Sequence, residues 1–171
     1  SYEGSFNKGV MDGAGLYTWA DGTSFAGDFR RNTITGQGRY TWPDGSTYTG
    51  DVLNGLRHGC GTMHGPIDGT PCYKGEWCNG ERHGSGTLYY DTAGHCRYEG
   101  AWVNNDRHGV GTMYYASGNV YEGNWVRNVK HGFGKMIWRS RSERYEGEWF
   151  NDQQNGVGEH IWMQRSQESS W

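Results

Sequence analysis

Residues 98 to 111 read Tyr-Glu-Gly-Ala-Trp-Val-Asn-Asn-Asp-Arg-His-Gly-Val-Gly, and residues 121 to 134 read Tyr-Glu-Gly-Asn-Trp-Val-Arg-Asn-Val-Lys-His-Gly-Phe-Gly. Both stretches are copies of a unit that recurs along the chain. Each copy starts with aromatic-x-Gly, at residues 2, 25, 48, 73, 98, 121 and 145, and a Gly-x-Gly begins eleven residues later. Self-similarity of this kind is typical of repeat proteins. The sequence therefore predicts seven repeats over residues 1–163 and a short tail or cap over 164–171.

Each repeat predicts two short β-strands. We count positions from the first aromatic residue of a repeat, which is position zero. Positions zero, two and four hold an aromatic residue, glycine and, in most copies, Phe or Trp. Positions 13, 15 and 17 hold glycine and two mostly large side chains. Because such alternation places side chains on one face of a strand, and turn signals such as Asp21-Gly22 separate the units, each repeat is expected to be a β-hairpin.

The expected fold is all-β: an elongated, single-layer, twisted antiparallel sheet of about seven hairpin repeats. About fourteen strands at roughly 4.8 Å each would span about 65 Å. A helical repeat is disfavoured because glycine at four fixed places would cost about 1 kcal/mol apiece in a helix. Glycine between two aromatic residues leaves a slot over which a ring from a neighbouring strand can lie. We assign a structural role in this stacking to the position-four residues Trp77, Trp102, Trp125 and Trp149.

The composition excludes several classes of protein. The chain has 171 residues, with 30 glycines, 9 tryptophans and 12 tyrosines. Aliphatic residues are too scarce for a thick core, whereas aromatic residues are too frequent for a disordered chain. The 16 Lys and Arg residues against 19 Asp and Glu give a net charge of -3, which argues against a nucleic-acid binder. No run approaches 18 apolar residues, so a transmembrane helix is not expected.

Recurrent histidines do not predict a catalytic centre. One histidine precedes the Gly-x-Gly in four repeats: His58, His83, His108 and His131. They would be spread about 10 Å apart along the sheet, whereas a catalytic site needs its groups to converge. We expect them to be structural. No nucleophile-elbow, zinc-protease or phosphate-loop motif occurs, so neither an enzymatic activity nor a cofactor is predicted.

The cysteines do not predict a metal site either. Cys60, Cys72, Cys78 and Cys96 lack CxxC spacing and stand at unequal positions of their repeats. Zinc sites usually combine four ligands that include a closely spaced pair, and the nearest local pair here is Cys60 with His64. We expect reduced intracellular thiols and no bound metal.

Position nine holds a row of cations, and two interpretations remain open. The row consists of Arg57, Arg82, Arg107 and Lys130. It could be a solvated turn row neutralised by carboxylates at positions of opposite parity, namely Glu76, Glu99, Glu122, Glu146 and Glu148. Alternatively, it could be a basic ridge that contacts an acidic partner or phosphoinositide headgroups.

Aromatic residues at position seventeen predict a partner-binding face. If one side of the sheet is a groove, these rings would form a surface of the type favoured at protein interfaces. The predicted contacts are Trp19, Trp42, Tyr90, Tyr115, Trp138 and Trp162. Both ends of an open sheet also carry unpaired strand edges, which predicts possible self-association by strand addition.

The pattern Tyr-Glu-Gly-x-Trp-x-x-Asn/Gly-x-x-His-Gly-x-Gly resembles the MORN repeat. Phe25, Val52 and the pair Gly65-Pro66 depart from it. Within that family the chain is similar to radial spoke head proteins of motile cilia. The residues that carry this likeness include Trp77-Cys78-Asn79-Gly80, Ser117-Gly118-Asn119 and the closing Gln154-Asn155-Gly156-x-Gly158-x-His160-x-Trp162.

The resemblance implies a non-enzymatic scaffold of the radial spoke head, located in the axoneme of a cilium or flagellum. It implies that the partners are other spoke-head proteins, including another MORN-repeat protein. The competing hypothesis is a peripheral membrane tether that binds anionic phosphoinositides through the basic ridge. The net charge of -3 and the lack of an amphipathic helix or lipidation motif disfavour membrane contact. A third hypothesis is a regulatory module attached to an enzyme domain.

Overall fold

A computed structural model of the chain describes residues 1–162, and these residues form one open antiparallel sheet. Fourteen strands lie in the order of the sequence, each hydrogen-bonded to the next. This confirms the predicted fold class. The only helical element in residues 1–162 is a short 3-10 turn at Arg139–Arg141. The strands are β1 (Tyr2–Asn7), β2 (Val10–Thr18), β3 (Ser24–Arg30), β4 (Thr33–Thr41), β5 (Thr47–Leu53), β6 (Leu56–Gly65), β7 (Gly69–Cys78), β8 (Glu81–Tyr89), β9 (Arg97–Val103), β10 (Asp106–Tyr114), β11 (Val120–Val126), β12 (Val129–Trp138), β13 (Glu143–Phe150) and β14 (Gln153–Trp162).

Each repeat is one hairpin, and a two-residue turn joins its strands. In the turn between β9 and β10, Asn104 and Asn105 have φ angles of 49° and 69°. Two consecutive left-handed residues match the right-handed twist of the flanking strands, and Asn and Gly tolerate this backbone best. The predicted tail or cap over 164–171 lies outside the described residues.

A bulge in the second strand of each hairpin sets which residues stand opposite each other. On β10, Arg107 pairs with Trp102, and the register then shifts before Gly111 pairs with Gly100. Gly109, the first glycine of Gly-x-Gly, lies within this shift at φ 70°, a left-handed backbone that favours glycine. Arg107 therefore emerges on the same face as Trp102.

The glycines at positions two and 13 pair with each other and form the predicted slot. The position-zero ring of the same repeat fills it. Gly100 and Gly111 lie side by side, and an added Cβ on Gly111 would overlap with the ring of Tyr98. The Tyr98 ring is fully buried, and its hydroxyl donates a hydrogen bond of 3.0 Å to the Ala101 carbonyl oxygen. The ring that covers Gly111 on β10 therefore belongs to the neighbouring strand β9, as expected, and both strands are part of the same hairpin.

The position-four tryptophans connect the hairpins. Trp102 stands edge-on between Tyr73 of the previous repeat, with ring centroids 5.4 Å apart, and Tyr98 of its own repeat, at 5.1 Å. Its indole N–H donates to the Gly86 carbonyl oxygen at 3.1 Å. The same contacts recur along the sheet and bury all four tryptophans to an exposure of 6% or less. This ladder of alternating rings, rather than a second layer of protein, is the core: it runs through Tyr48, Trp77, Tyr73, Trp102, Tyr98, Trp125, Tyr121, Trp149 and Tyr145.

Candidate functional site

The four cations at position nine lie over tryptophan rings of the aromatic face. The Arg107 guanidinium carbon is 4.5 Å from the centroid of the Trp125 ring, in the next repeat. The equivalent distances are 4.5 Å for Arg57 on Trp77, 4.4 Å for Arg82 on Trp102 and 4.8 Å for Lys130 on Trp149. A cation at this distance is attracted by the negative face of the ring. Each cation thus contacts two successive repeats.

Hydrogen bonds reinforce this contact. The Arg107 guanidinium donates to the Asn128 carbonyl oxygen at 2.8 Å, in the turn of the next hairpin. The Arg107 backbone N–H donates to Asn128 Oδ1 at 2.9 Å, and the Asn128 N–H donates back to the Arg107 carbonyl oxygen at 3.1 Å. Burial lowers the pKa of both Arg57 and Lys130. For Lys130, the charge of Asp152 partly offsets this lowering of the pKa. The cations are therefore components of the joint between repeats.

The expected neutralising carboxylates do not meet these cations. Glu76 accepts the backbone N–H of Ser85 at 2.9 Å, next to the bulge of its own hairpin. Glu99 forms an ion pair of 2.6 Å with Arg97. The solvated turn row neutralised by these residues is therefore wrong. The geometric reason is that positions one and three face away from the rings, whereas position nine has the same parity as the ring-side positions 13 and 15.

The position-seventeen residues form an outer row of rings on the aromatic face. Trp19, Trp42, Tyr115 and Trp138 are half-buried, while Tyr90 is 40% and Trp162 is 69% exposed. Trp42 stacks on Tyr40 with a centroid distance of 5.6 Å and an interplanar angle of 19°. The outer row therefore keeps exposed ring surface that the buried ladder lacks. Whether these six residues bind a partner stays a prediction.

Gly65 interrupts the outer row between Trp42 and Tyr90. The aromatic face also has a hollow of about 230 Å³ between repeats three and four. Its walls include Arg57, Trp77 and Leu88. The aromatic face is consequently a row of rings with one break, in repeat three.

The four recurrent histidines are half-buried and do not converge, because one belongs to each of four hairpins. The His131 ring lies 5.2 Å from that of Phe150. The Nδ1 atom of His58 is buried and makes no hydrogen bond. Their structural role stays a prediction.

The cysteines are free thiols. Cys60 is exposed, Cys72 is buried, and Cys78 and Cys96 are half-buried. Among residues 1–162, no three His, Cys, Asp or Glu side chains are grouped so that they could hold a metal ion. Over the same residues, no helix has the length and apolar character needed to cross a membrane.

Sequence reasoning missed an exposed apolar surface on the other side of the sheet. Position twelve, the middle residue of Gly-x-Gly, is Val110, Phe133 and Val157 in the last three repeats, with exposures of 66%, 58% and 79%. The earlier repeats have Ala14, Gln37, Cys60 and Ser85 there. The change at position twelve from small or polar residues to apolar ones is a signal in the sequence that could have indicated this surface.

Comparison with known proteins agrees with the hairpin boundaries. The profile of the MORN repeat matches seven segments, at residues 2–24, 25–47, 48–70, 73–92, 98–120, 121–143 and 145–164. No curated protein matches the chain. MORN repeats suggest a repeat-based binding or scaffold role, and the proteins that contain them are generally non-enzymatic scaffolds. With one matched segment for each hairpin of the sheet, the chain belongs to the MORN-repeat family.

Proposed function

We propose that this protein is a non-enzymatic structural scaffold whose aromatic face holds other proteins in register along the sheet. The observation that carries the proposal is that the two sets of rings differ in exposure. The ladder from Tyr48 to Tyr145 is buried and supports the fold, whereas the outer row retains exposed tryptophan and tyrosine surface. Exposed aromatic side chains are the residues that most often dominate binding energy at interfaces.

The repeat geometry suits this role. Each hairpin adds two strands, so equivalent outer rings recur about every 9.6 Å. A partner that crosses the strands would meet one ring in each repeat except repeat three, where position seventeen is Gly65. The joints described above fix the order of the repeats and therefore the order of the contacts.

The proposal extends to a location in the radial spoke head of the ciliary or flagellar axoneme. It is supported by the resemblance of the segments around Trp77, Ser117 and Gln154 to spoke-head MORN proteins. The proposed partners are other spoke-head proteins, including another MORN-repeat protein. Among residues 1–162, β1 and β14 each pair with one strand only, and their outer edges are a second place where a copy of this chain could pair.

A membrane tether is the less favoured alternative. Headgroup binding would require free donors at position nine, but the guanidinium of Arg57 donates to the Gly80 carbonyl oxygen at 2.7 Å, and that of Arg82 to the Asn105 carbonyl oxygen at 3.0 Å. Releasing these donors would break the joints between repeats.

The test compares two doubly substituted chains. Tyr90→Ser with Trp162→Ser removes exposed outer rings, while Tyr89→Ser with Ile161→Ser changes the preceding residues, which face the other side. Each chain is used to capture proteins from demembranated ciliary extract and is mixed with vesicles containing phosphatidylinositol 4,5-bisphosphate. We expect spoke-head proteins to bind the wild type and the Tyr89/Ile161 variant but not the Tyr90/Trp162 variant. Salt-sensitive vesicle binding without any axonemal partner would overturn the proposal in favour of the tether.

A further inference from the structure

Six exposed apolar side chains stand at positions five and twelve of repeats five to seven, on the face opposite the rings. We name this set the reverse strip; it consists of Val103, Val110, Val126, Phe133, Phe150 and Val157. Their exposures are 40%, 66%, 36%, 58%, 52% and 79%, in that order. Single exposed apolar residues are ordinary, but a contiguous group in a protein surface marks an interaction site.

The strand register places all six residues on this face. Gly109 pairs with Trp125 on the ring side, so the next pair, Val110 with Asn124, points the other way. In the same manner Phe133 pairs with Glu148, beside Gly132 and Trp149. Position five follows the buried position-four ring, and its side chain therefore also points away from the ladder.

The fold itself does not require apolar residues here. In the first four repeats, positions five and twelve form equivalent strands with mostly small or polar residues: Asn7, Arg30, Leu53 and Cys78, and Ala14, Gln37, Cys60 and Ser85. The reverse strip is thus confined to repeats five to seven. A feature that the hairpin does not need, present in consecutive repeats only, indicates a local binding function.

Three carboxylates and one lysine flank the reverse strip along one side. Positions one and fourteen form the adjacent rows, in which Glu122 pairs with Lys135, Lys135 with Glu146, and Glu146 with Glu159. Glu146 and Glu159 are like charges directly opposite each other, an unfavourable arrangement that a bound cation would relieve. The rim therefore calls for a partner with lysine or arginine beside its apolar residues.

The spacing of the strip matches an α-helix laid across the strands. Strip residues recur every two strands, about 9.6 Å, while every seventh residue of a helix recurs about every 10.5 Å. Between Val110 and Phe133 is a hollow of about 380 Å³ whose walls also include Glu122, Glu146 and, between them, Lys135. The two carboxylates outnumber the lysine, and this net negative charge beside apolar residues suits a lysine or arginine side chain of a partner, with its stem on the apolar residues.

We infer that the reverse strip is a second docking surface, for an amphipathic helix of a partner protein whose apolar stripe is flanked by lysine or arginine. The scaffold would then bind one partner on each face. This inference uses a different face from the outer row of rings, so either one can fail without the other.

The experiment uses the full chain and a labelled peptide of about 18 residues, which spans about 27 Å as a helix. The peptide carries leucine at heptad spacing with flanking lysines, and a matched peptide carries glutamate in their place. Fluorescence anisotropy is expected to show at least about tenfold tighter binding of the lysine peptide. Phe133→Ser with Val157→Ser should weaken that binding by about tenfold or more. Leu16→Ser with Leu53→Ser, which removes exposed leucines of this face outside the strip, should change it by less than about twofold.

Three results would overturn the inference. Equal binding to wild type and the Phe133/Val157 variant would remove the strip as the site. Loss of binding in the Tyr90/Trp162 variant alone would move the peptide to the aromatic face. A concentration-dependent doubling of the wild-type mass in light scattering, abolished by Phe133→Ser, would make a second copy of this chain the occupant. Thermal unfolding of every variant serves as the folding control; if Phe133→Ser fails it, Val157→Thr alone replaces it.

Discussion

The seven repeats are joined in two different ways. In the last four junctions a cation at position nine lies on the position-four tryptophan of the next repeat, as with Arg107 on Trp125. In the first two junctions the equivalent residues are both apolar: Met11 with Phe29, and Ile34 with Val52. The backbone contact is nevertheless the same, since the Gly55 N–H donates to the Ile34 carbonyl oxygen at 2.9 Å and the Asn128 N–H to that of Arg107 at 3.1 Å.

This difference teaches that backbone docking of the turn defines the path of the sheet, while the side-chain pair determines how strongly each junction holds. Val52 also interrupts the ring ladder. Tyr2, Phe29 and Phe25 form one run of edge contacts, and a second run starts at Tyr48, which meets Trp77 at 5.4 Å. Repeat proteins are held together by contacts between neighbouring repeats. Leaving aside the junction of repeats one and two, we therefore expect the junction of repeats two and three to be the weakest.

The largest expected effect comes from removing a ladder tryptophan. Trp125→Ala should lower the free energy of unfolding by about 3–5 kcal/mol, because a ring that is 2% exposed leaves a large cavity. Val52→Ala, at the equivalent position, should cost about 1.5 kcal/mol, since it removes only two methyl groups. Urea denaturation measures both. Similar losses for the two variants would contradict the distinction between the junctions.

Filling a glycine slot should have the next largest effect. A Cβ on Gly111 would overlap with the Tyr98 ring, and overpacking of this kind costs about 1–3 kcal/mol. Gly9→Ala is the control, since no atom lies within 4 Å of its added Cβ and only the backbone at φ 82° resists, at about 1 kcal/mol. In a double-mutant cycle, Tyr98→Ala should recover most of the Gly111→Ala loss. Additive losses would show that the ring does not occupy the slot.

Removing a cation should cost less. Arg107→Leu retains much of the apolar stem but loses the contact with the Trp125 ring and the hydrogen bond to Asn128, at about 1–2 kcal/mol. Arg30→Leu, an exposed arginine on the opposite face, should stay within about 0.5 kcal/mol. An unchanged stability of Arg107→Leu in thermal and urea unfolding would return position nine to the role of a free basic ridge.

The repeats and the strands could be predicted from the sequence because the glycine period is strict and alternation has a unique structural meaning. The partnership of Arg107 with Trp125 could not, because alternation places both residues on the ring side but does not reveal the two-residue shift at Gly109, which sets Arg107 opposite Trp102 and Gly109 opposite Trp125. The sequence nevertheless contained a signal. A cation stands at position nine only in those repeats whose successor has tryptophan at position four. Where the successor has Val52 instead, position nine is the apolar Ile34. The repeat motif does not reveal the reverse strip either, because Val110 and Phe133 stand at the unspecified position of Gly-x-Gly.

Alkaline pH offers the mildest way to separate the two kinds of junction. Burial is the main cause that raises the pKa of Tyr48 and Tyr73 to about 12, against 10 for a free tyrosine. The unfolded chain therefore loses these protons first. The stabilisation is complete below pH 10 and decreases as the pH rises from 10 towards 12, by up to about 1.4 kcal/mol per pH unit for each tyrosine. Lys130 has the opposite effect: below about pH 10.5 it makes the stability rise with pH, because burial lowers its pKa in the folded chain.

Urea denaturation at pH 9, 10 and 11 measures this slope, and Tyr73→Phe should reduce it because one titrating group is gone. Phe6→Leu, which removes an exposed ring of the first repeat that carries no titrating proton, is the control and should leave the slope unchanged. An equal reduction by both substitutions would mean that the slope does not come from the titration of Tyr73. A smaller slope in Tyr73→Phe alone would locate the alkali-sensitive part of the sheet in the ladder that begins at Tyr48.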